Sequence, residues 1–483
     1  MESVFTKVFA NAKILLVTEA ANMLAGIATV ILLARLLDVA SLGLYSFSFS
    51  IGSVAAVSCL HGANNLIIRE TSRFPDKLGY YLGNSLALRA GIGLVLILAV
   101  EAALLHQGYP TEKILIASLL ILTRLGETLL LMFCAFFRGR QEMQYEGALR
   151  VGLNASTILV GLSALIWSKS LLLFAATQCA AAVAVNLAAY AVLVRHYGIA
   201  PWREVRLREI QGLFREGLNF SLHSILLVFY IQTNTICLYF FNGDQATGLY
   251  TAGFRFVSAL GMAAVGVTAA LFPAMSKMTL KENARDIGEL FDRASRYLMT
   301  AAALMSLTLF VFAPEIIRLF YGERFLAAVL GLRIMAPTVF FVYANSASLS
   351  TLFSLNQEAR MLQLLAVSVA FVFVINLILL PPLGYIGAGV TTLLPEVFLF
   401  ILQYYSLKRL VPAVSVIPLT FKLALISAAS AAACWGLSWA PLAPRAACLL
   451  GVFAAGVFAL RILSFEELGL RSRPLPATEA ANA

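Results

Sequence analysis

The stretch LLAVSVAFVFVINLILL, residues 364–380, decides the fold class because it contains no charged residue. A helix needs about 20 apolar residues to cross the hydrocarbon core of a bilayer. Strands of a membrane β-barrel alternate apolar and polar residues, whereas this stretch and residues 92–105 are almost continuously apolar. Of all 483 residues, 60% are hydrophobic and 12% are charged, against about 25% charged residues in soluble domains. The sequence therefore predicts an all-α integral membrane protein.

Fourteen apolar segments follow one another along the chain, and the loops between them are too short to hold a separate soluble domain. The predicted spans are 13–34, 44–68, 81–105, 114–137, 148–168, 171–194, 218–240, 250–275, 297–313, 326–353, 361–380, 385–407, 417–438 and 445–463. We therefore expect about 14 transmembrane helices.

The lysine and arginine residues are concentrated in alternate loops. If the N-terminus is cytoplasmic, 24 of the 35 lie in cytoplasmic loops and 6 lie in the opposite loops. This asymmetry is the positive-inside pattern of membrane proteins, and one missed or extra span would scramble it. We predict a multi-pass membrane protein with both termini cytoplasmic; its location in the bacterial inner (cytoplasmic) membrane is what the family resemblance given below implies. The same pattern accounts for the net charge of +10, so we expect no nucleic-acid partner.

A short internal repeat links the two halves of the chain. Gly43-Leu44-Tyr45-Ser46 opens the second segment, and the similar GLYT of residues 248–251 opens the eighth, 205 positions later. Six segments separate the two copies, so the halves have the same orientation in the membrane. This arrangement predicts two six-helix bundles related by a pseudo-two-fold axis along the membrane normal. The predicted boundaries are 1–217 for the N-terminal lobe, 218–410 for the C-terminal lobe, 411–463 for two additional helices and 464–483 for a polar cytoplasmic tail.

Several loose motifs, taken in order, resemble a known family. They are LARLL at 33–37, LGLYS at 42–46, LFPAMS at 271–276, IRLFYG at 317–322 and PPLGYIGA at 381–388. The chain resembles the polysaccharide and O-antigen flippases of the multidrug/oligosaccharidyl-lipid/polysaccharide (MOP) exporter superfamily. The resemblance implies alternating access and transfer of a polyprenyl-diphosphate-linked oligosaccharide to the outer leaflet, for the assembly of surface polysaccharide such as lipopolysaccharide. It also implies that helices one, two, seven and eight line the central cavity.

Polar side chains inside these four segments are the candidate substrate ligands. Arg255 is the foremost, because a guanidinium offers planar paired donors to a diphosphate; the alternative is an arginine that reaches to the outer headgroups. Asn22, Ser50, Asn219 and His223 offer hydrogen bonds to sugars. Such groups also hold membrane helices together, and both interpretations stay open.

Three acidic residues inside the spans have other predicted roles. Glu19 and Glu396 are candidate coupling-ion sites, because a desolvated carboxyl exchanges protons near neutral pH or binds Na⁺; Pro395 beside Glu396 also suggests a hinge. Arg124 and Glu127, three residues apart, are predicted to form a structural ion pair.

We expect no metal and no cofactor, with coupling to H⁺ or Na⁺ as an open question. The chain has no phosphate-binding G-x-x-x-x-G-K-[ST] loop and no H-E-x-x-H sequence, so we predict that it is not an enzyme. The expected partners are the lipid-linked glycan, membrane lipids and, as further candidates, other glycan-assembly membrane proteins. The alternatives are a cation-coupled multidrug extruder and a flippase for the peptidoglycan lipid precursor, both of the same superfamily, a membrane-embedded sugar polymerase or ligase, and a scaffold.

Overall fold

The computed structural model describes residues 26–59, 64–74, 77–199, 201–275 and 280–463, and these residues form helices joined by short loops. The helices are α1 Gly26–Leu36, α2 Val39–Ser58, α3 Asn64–Arg73, α4 Leu78–His106, α5 Thr111–Gly139, α6 Met143–Ser156, α7 Ser163–Ser168, α8 Leu171–Tyr197, α9 Leu207–Met275, α10 Leu280–Val311, α11 Ala313–Tyr321, α12 Ala328–Met335, α13 Thr338–Ser354, α14 Glu358–Leu410, α15 Ile417–Gly436 and α16 Leu442–Ala459. A π-helical turn, Thr157–Leu162, joins α6 to α7. The chain is an all-α, multi-pass membrane protein.

Eleven helical stretches within the described residues are long and apolar enough to cross a membrane. Two of them are double, because Gly243 interrupts α9 and Gly384 interrupts α14 with positive φ angles of 76° and 55°. Glycine has no Cβ and tolerates this conformation. Counting each double helix as two spans, and adding the described part of α1, gives one helical stretch for each of the 14 predicted segments.

The predicted second span, 44–68, is wrong at both ends. Helix α2 begins at Val39 and ends at Ser58, and the separate helix α3 begins at Asn64. The sequence of α3, NNLIIRETSR, is too polar for lipid. A single helix over 44–68 would have carried both Ser50 and Asn64, but the two residues lie on different helices, α2 and α3.

The predicted tenth span, 326–353, is two helices that meet at Pro337. Proline cannot donate a backbone hydrogen bond, and α13 begins directly after it. Arg333 of α12 donates its Nε–H to the carbonyl of Phe310 at 3.3 Å.

Asp38 starts α2 as its N-cap, and its side chain accepts a 2.9 Å hydrogen bond from the backbone N–H of Ser41. Burial disfavours the charged form of Asp38, but the hydrogen bonds from Ser41 and the charge of Arg324 outweigh it. The pKa of the Asp38 carboxyl therefore lies below its usual value of 3.8. The cap satisfies a backbone donor that the first turn of a helix leaves free.

The chain divides into two compact units. The first contains 1–252, 317–328 and 365–391, and the second contains 253–316, 329–364 and 392–483. In the first unit, buried side chains of α4, α5 and α8 form an apolar core around Phe136 and Phe137. In the second unit, α10 packs on α13 and α15. The lobe boundaries at 217 and 410 remain predictions.

Candidate transport site

A polar cavity of about 290 Å³ lies inside the first unit, among α1, α2, α5, α6, α8 and the π-helical turn. Its polar lining consists of Thr29, Tyr45, Thr123, Arg124, Glu127, Arg150, Asn154, Thr157 and Gln178. Polar groups inside apolar spans are costly unless they serve a partner or a cavity. The cavity therefore identifies this part of the bundle as the candidate site.

An ion pair on α5 forms one wall of the cavity. Arg124 Nη1 donates to Glu127 Oε2, and both side chains are partly exposed to the cavity, at 25% and 33%. The guanidinium also lies over the ring of Phe49, 4.3 Å from its centroid. Among the described residues, the buried Nε of Arg124 has no hydrogen-bond partner. This face thus offers a cation, an anion and an aromatic ring to a ligand.

A second cluster of charged residues lies at and behind the part of the cavity wall that α6 forms. Glu146, which is fully buried, accepts hydrogen bonds from Arg138 at 2.6 Å and 2.5 Å, and it lies 3.6 Å from Arg150. Two arginines therefore share one carboxylate, and Arg150 lines the cavity. Because the Arg124–Glu127 pair is neutral in sum, the described charges of the cavity wall, taken together with Arg138 and Glu146 behind it, add up to one excess positive charge.

Beside the π-helical turn, the side-chain amide of Gln178 forms part of the cavity wall. Gln178 of α8 is 93% buried, and its Oε1 accepts a 2.8 Å hydrogen bond from Thr157 Oγ1. Its Nε2 has no hydrogen-bond partner among the described residues. A Cβ on Gly161 would overlap this nitrogen, so the glycine allows the amide its position. Turns of this kind often lie at functional sites.

The sequence predictions for the first unit have different outcomes. Arg124 and Glu127 form the expected pair, and they also line the cavity. Ser50 is buried, and its hydroxyl donates to Gln232 Oε1 of α9 at 2.9 Å, so it connects two helices. His223 lies on α9 with an exposed side chain.

Three predicted residues cannot be compared with the cavity. Glu19 and Asn22 lie outside the described residues, as does the side chain of Asn219. Gly26, which the sequence places on the same helical face as Glu19, lines the cavity. The roles of these residues remain predictions.

The other two predicted residues belong to the second unit. Arg255 is half-buried on α9. Glu396 lies on α14, and Asn345 Nδ2 donates to its carboxylate at 2.7 Å and to its backbone carbonyl at 3.1 Å. The helix continues through Pro395, and Gly384 is the residue with non-helical angles inside α14. The helix is therefore not broken at Pro395, and the hinge there stays a prediction.

Sequence reasoning missed Arg150, Asn154 and Gln178 as members of a site. Arg150 was counted only as a loop cation, although Glu146 lies four residues before it and one turn of helix brings the two together. Gln178 is one of the few polar residues in the apolar span of α8, which was a usable signal. Among the described residues, no group of three or more His, Cys, Asp or Glu side chains is placed to hold a metal ion.

A bundle of apolar helices that encloses charged side chains is an architecture found among membrane transporters. Residues 8–279, more than half of the chain, match the family described as "Polysaccharide biosynthesis protein". The chain belongs to this family.

Known proteins resemble this chain in sequence or in fold. An uncharacterized membrane protein of Methanocaldococcus jannaschii is 24% identical over 322 residues, which cover 63% of this chain and 62% of that protein, so less than two thirds of its length is matched. The lipid II flippase MurJ, in an inward closed conformation, has a TM-score of 0.70 at 12% identity over 94% of this chain and all of MurJ. An inward-facing multidrug resistance MATE family transporter of the MOP superfamily has a TM-score of 0.61 at 16% identity over 80% of this chain and 94% of that one. The chain thus has the MOP transporter fold.

Proposed function

We propose that this protein is a flippase, which moves a polyprenyl-diphosphate-linked oligosaccharide from the cytoplasmic to the outer leaflet by alternating access. The observation that carries the proposal is a cavity inside the apolar spans of a polysaccharide-biosynthesis family member, whose described lining includes Arg124, Arg150 and several neutral polar side chains. An apolar cargo would not need such a cavity. A sugar diphosphate combines hydroxyl groups with negative charge, and both match the lining.

The cavity residues suggest how the cargo is held. Arg124 and Arg150 attract the anionic part, while Asn154, Thr157 and Gln178 supply amide and hydroxyl groups for sugar hydroxyls. The volume of about 290 Å³ lies at the lower limit of small-molecule sites. The cavity therefore receives one part of the cargo, and the polyprenyl chain stays in lipid, where its transfer costs nothing.

Arg255, expected from the sequence to bind the diphosphate, keeps that role as part of the proposal. Glu19 and Glu396 are the proposed sites at which H⁺ or Na⁺ biases the conformational equilibrium. A bound ion shifts this equilibrium only by its difference in affinity between the two states. The membrane potential is the other available driving force for a charged cargo.

The test is reconstitution in liposomes with a fluorescent lipid-linked oligosaccharide, whose exposure to an impermeant quencher reports flipping. We expect flipping by the intact protein and a loss of about tenfold or more in Arg124→Ala and Arg255→Ala. The matched control is Arg285→Ala, because Arg285 pairs with Glu289 on the surface with 87% of its side chain exposed.

The outcomes separate the site from the function. Normal flipping by Arg124→Ala would reject the cavity as the binding site while leaving the function standing. No flipping by the intact protein under any H⁺ gradient, Na⁺ gradient or membrane potential would reject the function. Export of an organic cation, or transfer of the peptidoglycan lipid precursor alone, would favour one of the two superfamily alternatives.

A further inference from the structure

The repeated glycines of the two halves contact each other's backbone in the first unit. A Cβ on Gly43, near the start of α2, would overlap the carbonyl oxygen of Asp244 in α9. A Cβ on Gly248 would overlap the carbonyl oxygen of Val39. The start of α2 and the part of α9 that follows the interruption at Gly243 therefore approach closely. Each crossing has room only for the hydrogen atom of a glycine.

The two crossings are copies of one contact. Gly43 and Gly248 are 205 positions apart, and so are Val39 and Asp244. Each half thus supplies a carbonyl and, four residues later, a glycine, and each glycine receives the carbonyl of the other half. A reciprocal pair of this kind is the signature of a two-fold contact. The internal repeat noted in the sequence is the contact surface itself.

An ion pair and aromatic rings surround the crossing. Lys113 Nζ, at the start of α5, bonds the carboxylate of Asp244, and its side chain is 37% exposed. Tyr239 stacks on Phe47 with ring centroids 3.9 Å apart, and Tyr109 lies 5.7 Å from Tyr239. These groups fill the space around two backbones that already touch.

Further contacts bring in the next loops. Arg35 Nε donates to the carbonyl of Phe320 at 2.8 Å, and Gly384 lies beside the side chain of Asn242. The loops that carry these residues, and those of Lys113 and Asp244, are the ones that the charge pattern assigns to the outer face. Loops from both sequence halves therefore meet at one end of the bundle.

We propose that the reciprocal glycine contact is the seal that closes the transport path at the outer face, and that it parts when the cargo is released. At the two crossings backbone packs on backbone, so parting the seal separates the stacked rings of Phe47 and Tyr239 but no side chain held between the crossing glycines. Close Cα–H to carbonyl contacts of this kind are individually weak. Lys113 and Asp244 hold the closed form as a positioning pair, because their charges pull the two helix starts together.

Accessibility of a residue beneath the seal tests the proposal. Ser50 is buried on α2, seven residues after Gly43, which is about 10 Å along the helix. Ser50→Cys is labelled with an impermeant maleimide from the outer face in intact cells and from the cytoplasmic face in inverted vesicles. Peptide mass spectrometry then reads residue 50 with the native cysteines kept.

We expect Gly43→Ala and Gly248→Ala each to raise outer-face labelling by about fivefold or more, because the added Cβ cannot fit the closed contact. Cytoplasmic-face labelling should fall in parallel, as alternating access requires. Gly91→Ala is the matched control, since a Cβ there meets nothing within 4 Å, and it should leave both rates unchanged. Simple loss of packing would instead raise labelling from both faces.

The ion pair provides a second route if the alanine variants are not recovered as folded protein. Lys113→Gln should raise outer-face labelling about two- to fivefold, as expected for a partly exposed pair. The charge swap Lys113→Asp with Asp244→Lys should restore the low rate. Unchanged labelling in every variant, or an increase from the cytoplasmic face alone, would overturn the proposal. Because this readout needs no cargo, its failure would leave the proposed function untouched.

Discussion

Replacing Glu146 by glutamine should destabilise the protein far more than replacing Glu289 by glutamine, although both carboxylates pair with arginine. Glu146 is fully buried and serves Arg138 and Arg150, whose side chains are 33% and 11% exposed. Glu289 pairs with an arginine on an exposed helix face, and its own side chain is 64% exposed. The two substitutions remove the same charge from opposite environments.

The expected magnitude follows from burial. Removing one partner of a buried ion pair costs about 3–5 kcal/mol, because the other charge stays buried without compensation. Arg138 is one third exposed and water can solvate part of its charge, so we lower the expected cost of Glu146→Gln to about 2–4 kcal/mol. An exposed pair four residues apart in a helix contributes about 0.3–0.5 kcal/mol, which is the expected cost of Glu289→Gln.

The assay is unfolding of the purified variants in mixed detergent micelles by titration with a denaturing detergent, followed by circular dichroism. Glu146→Gln should unfold at a clearly lower detergent fraction than the intact protein. Glu289→Gln should unfold at nearly the same detergent fraction as the intact protein. Equal effects of the two substitutions would refute the reasoning, because burial would then not control the strength of these pairs. A stable Glu146→Gln would show that the two arginines find other partners.

Three further perturbations have defined outcomes. Asn64→Ala removes the oxygen that accepts a 2.7 Å hydrogen bond from the buried Arg89, and the same unfolding assay should report a loss of about 1.5–3 kcal/mol; no loss would mean that this hydrogen bond is not needed. Asp38→Ala should lower the unfolding temperature at neutral pH. Since the pKa of the folded Asp38 carboxyl is lowered, its stabilising effect is present above the usual value of 3.8 and is lost as the pH falls through the folded value, so the difference from the intact protein should shrink in acid; a constant difference would exclude the charge as the cause. The angles of Gly243, φ 76° and ψ −168°, lie in a region that is essentially confined to glycine, so Gly243→Ala should cost about 1–3 kcal/mol, whereas Gly152→Ala, with nothing within 4 Å of the new Cβ, should cost nothing.

The candidate site shows where sequence reasoning succeeds and where it stops. The pairing of Arg124 with Glu127 could be read from their spacing, because one turn of helix places such residues on one face. The meeting of Arg150 and Gln178 at the same cavity could not be read, because these residues lie on different helices whose mutual rotation depends on packing. Ser50 illustrates the opposite case: its polarity was visible, but its partner Gln232 is 182 residues away.

The sequence by itself determined that the chain is a helical membrane protein and how many apolar segments it has, and it predicts which loops share a side. Those properties depend on local sums of hydropathy and charge, and the lipid allows no other secondary structure than helices for such segments. Only the tertiary structure decided that α2 ends before Asn64, that Pro337 separates two helices, and that Gly43 and Gly248 meet. These outcomes depend on close packing between segments distant in the chain, where a single methyl group decides what fits.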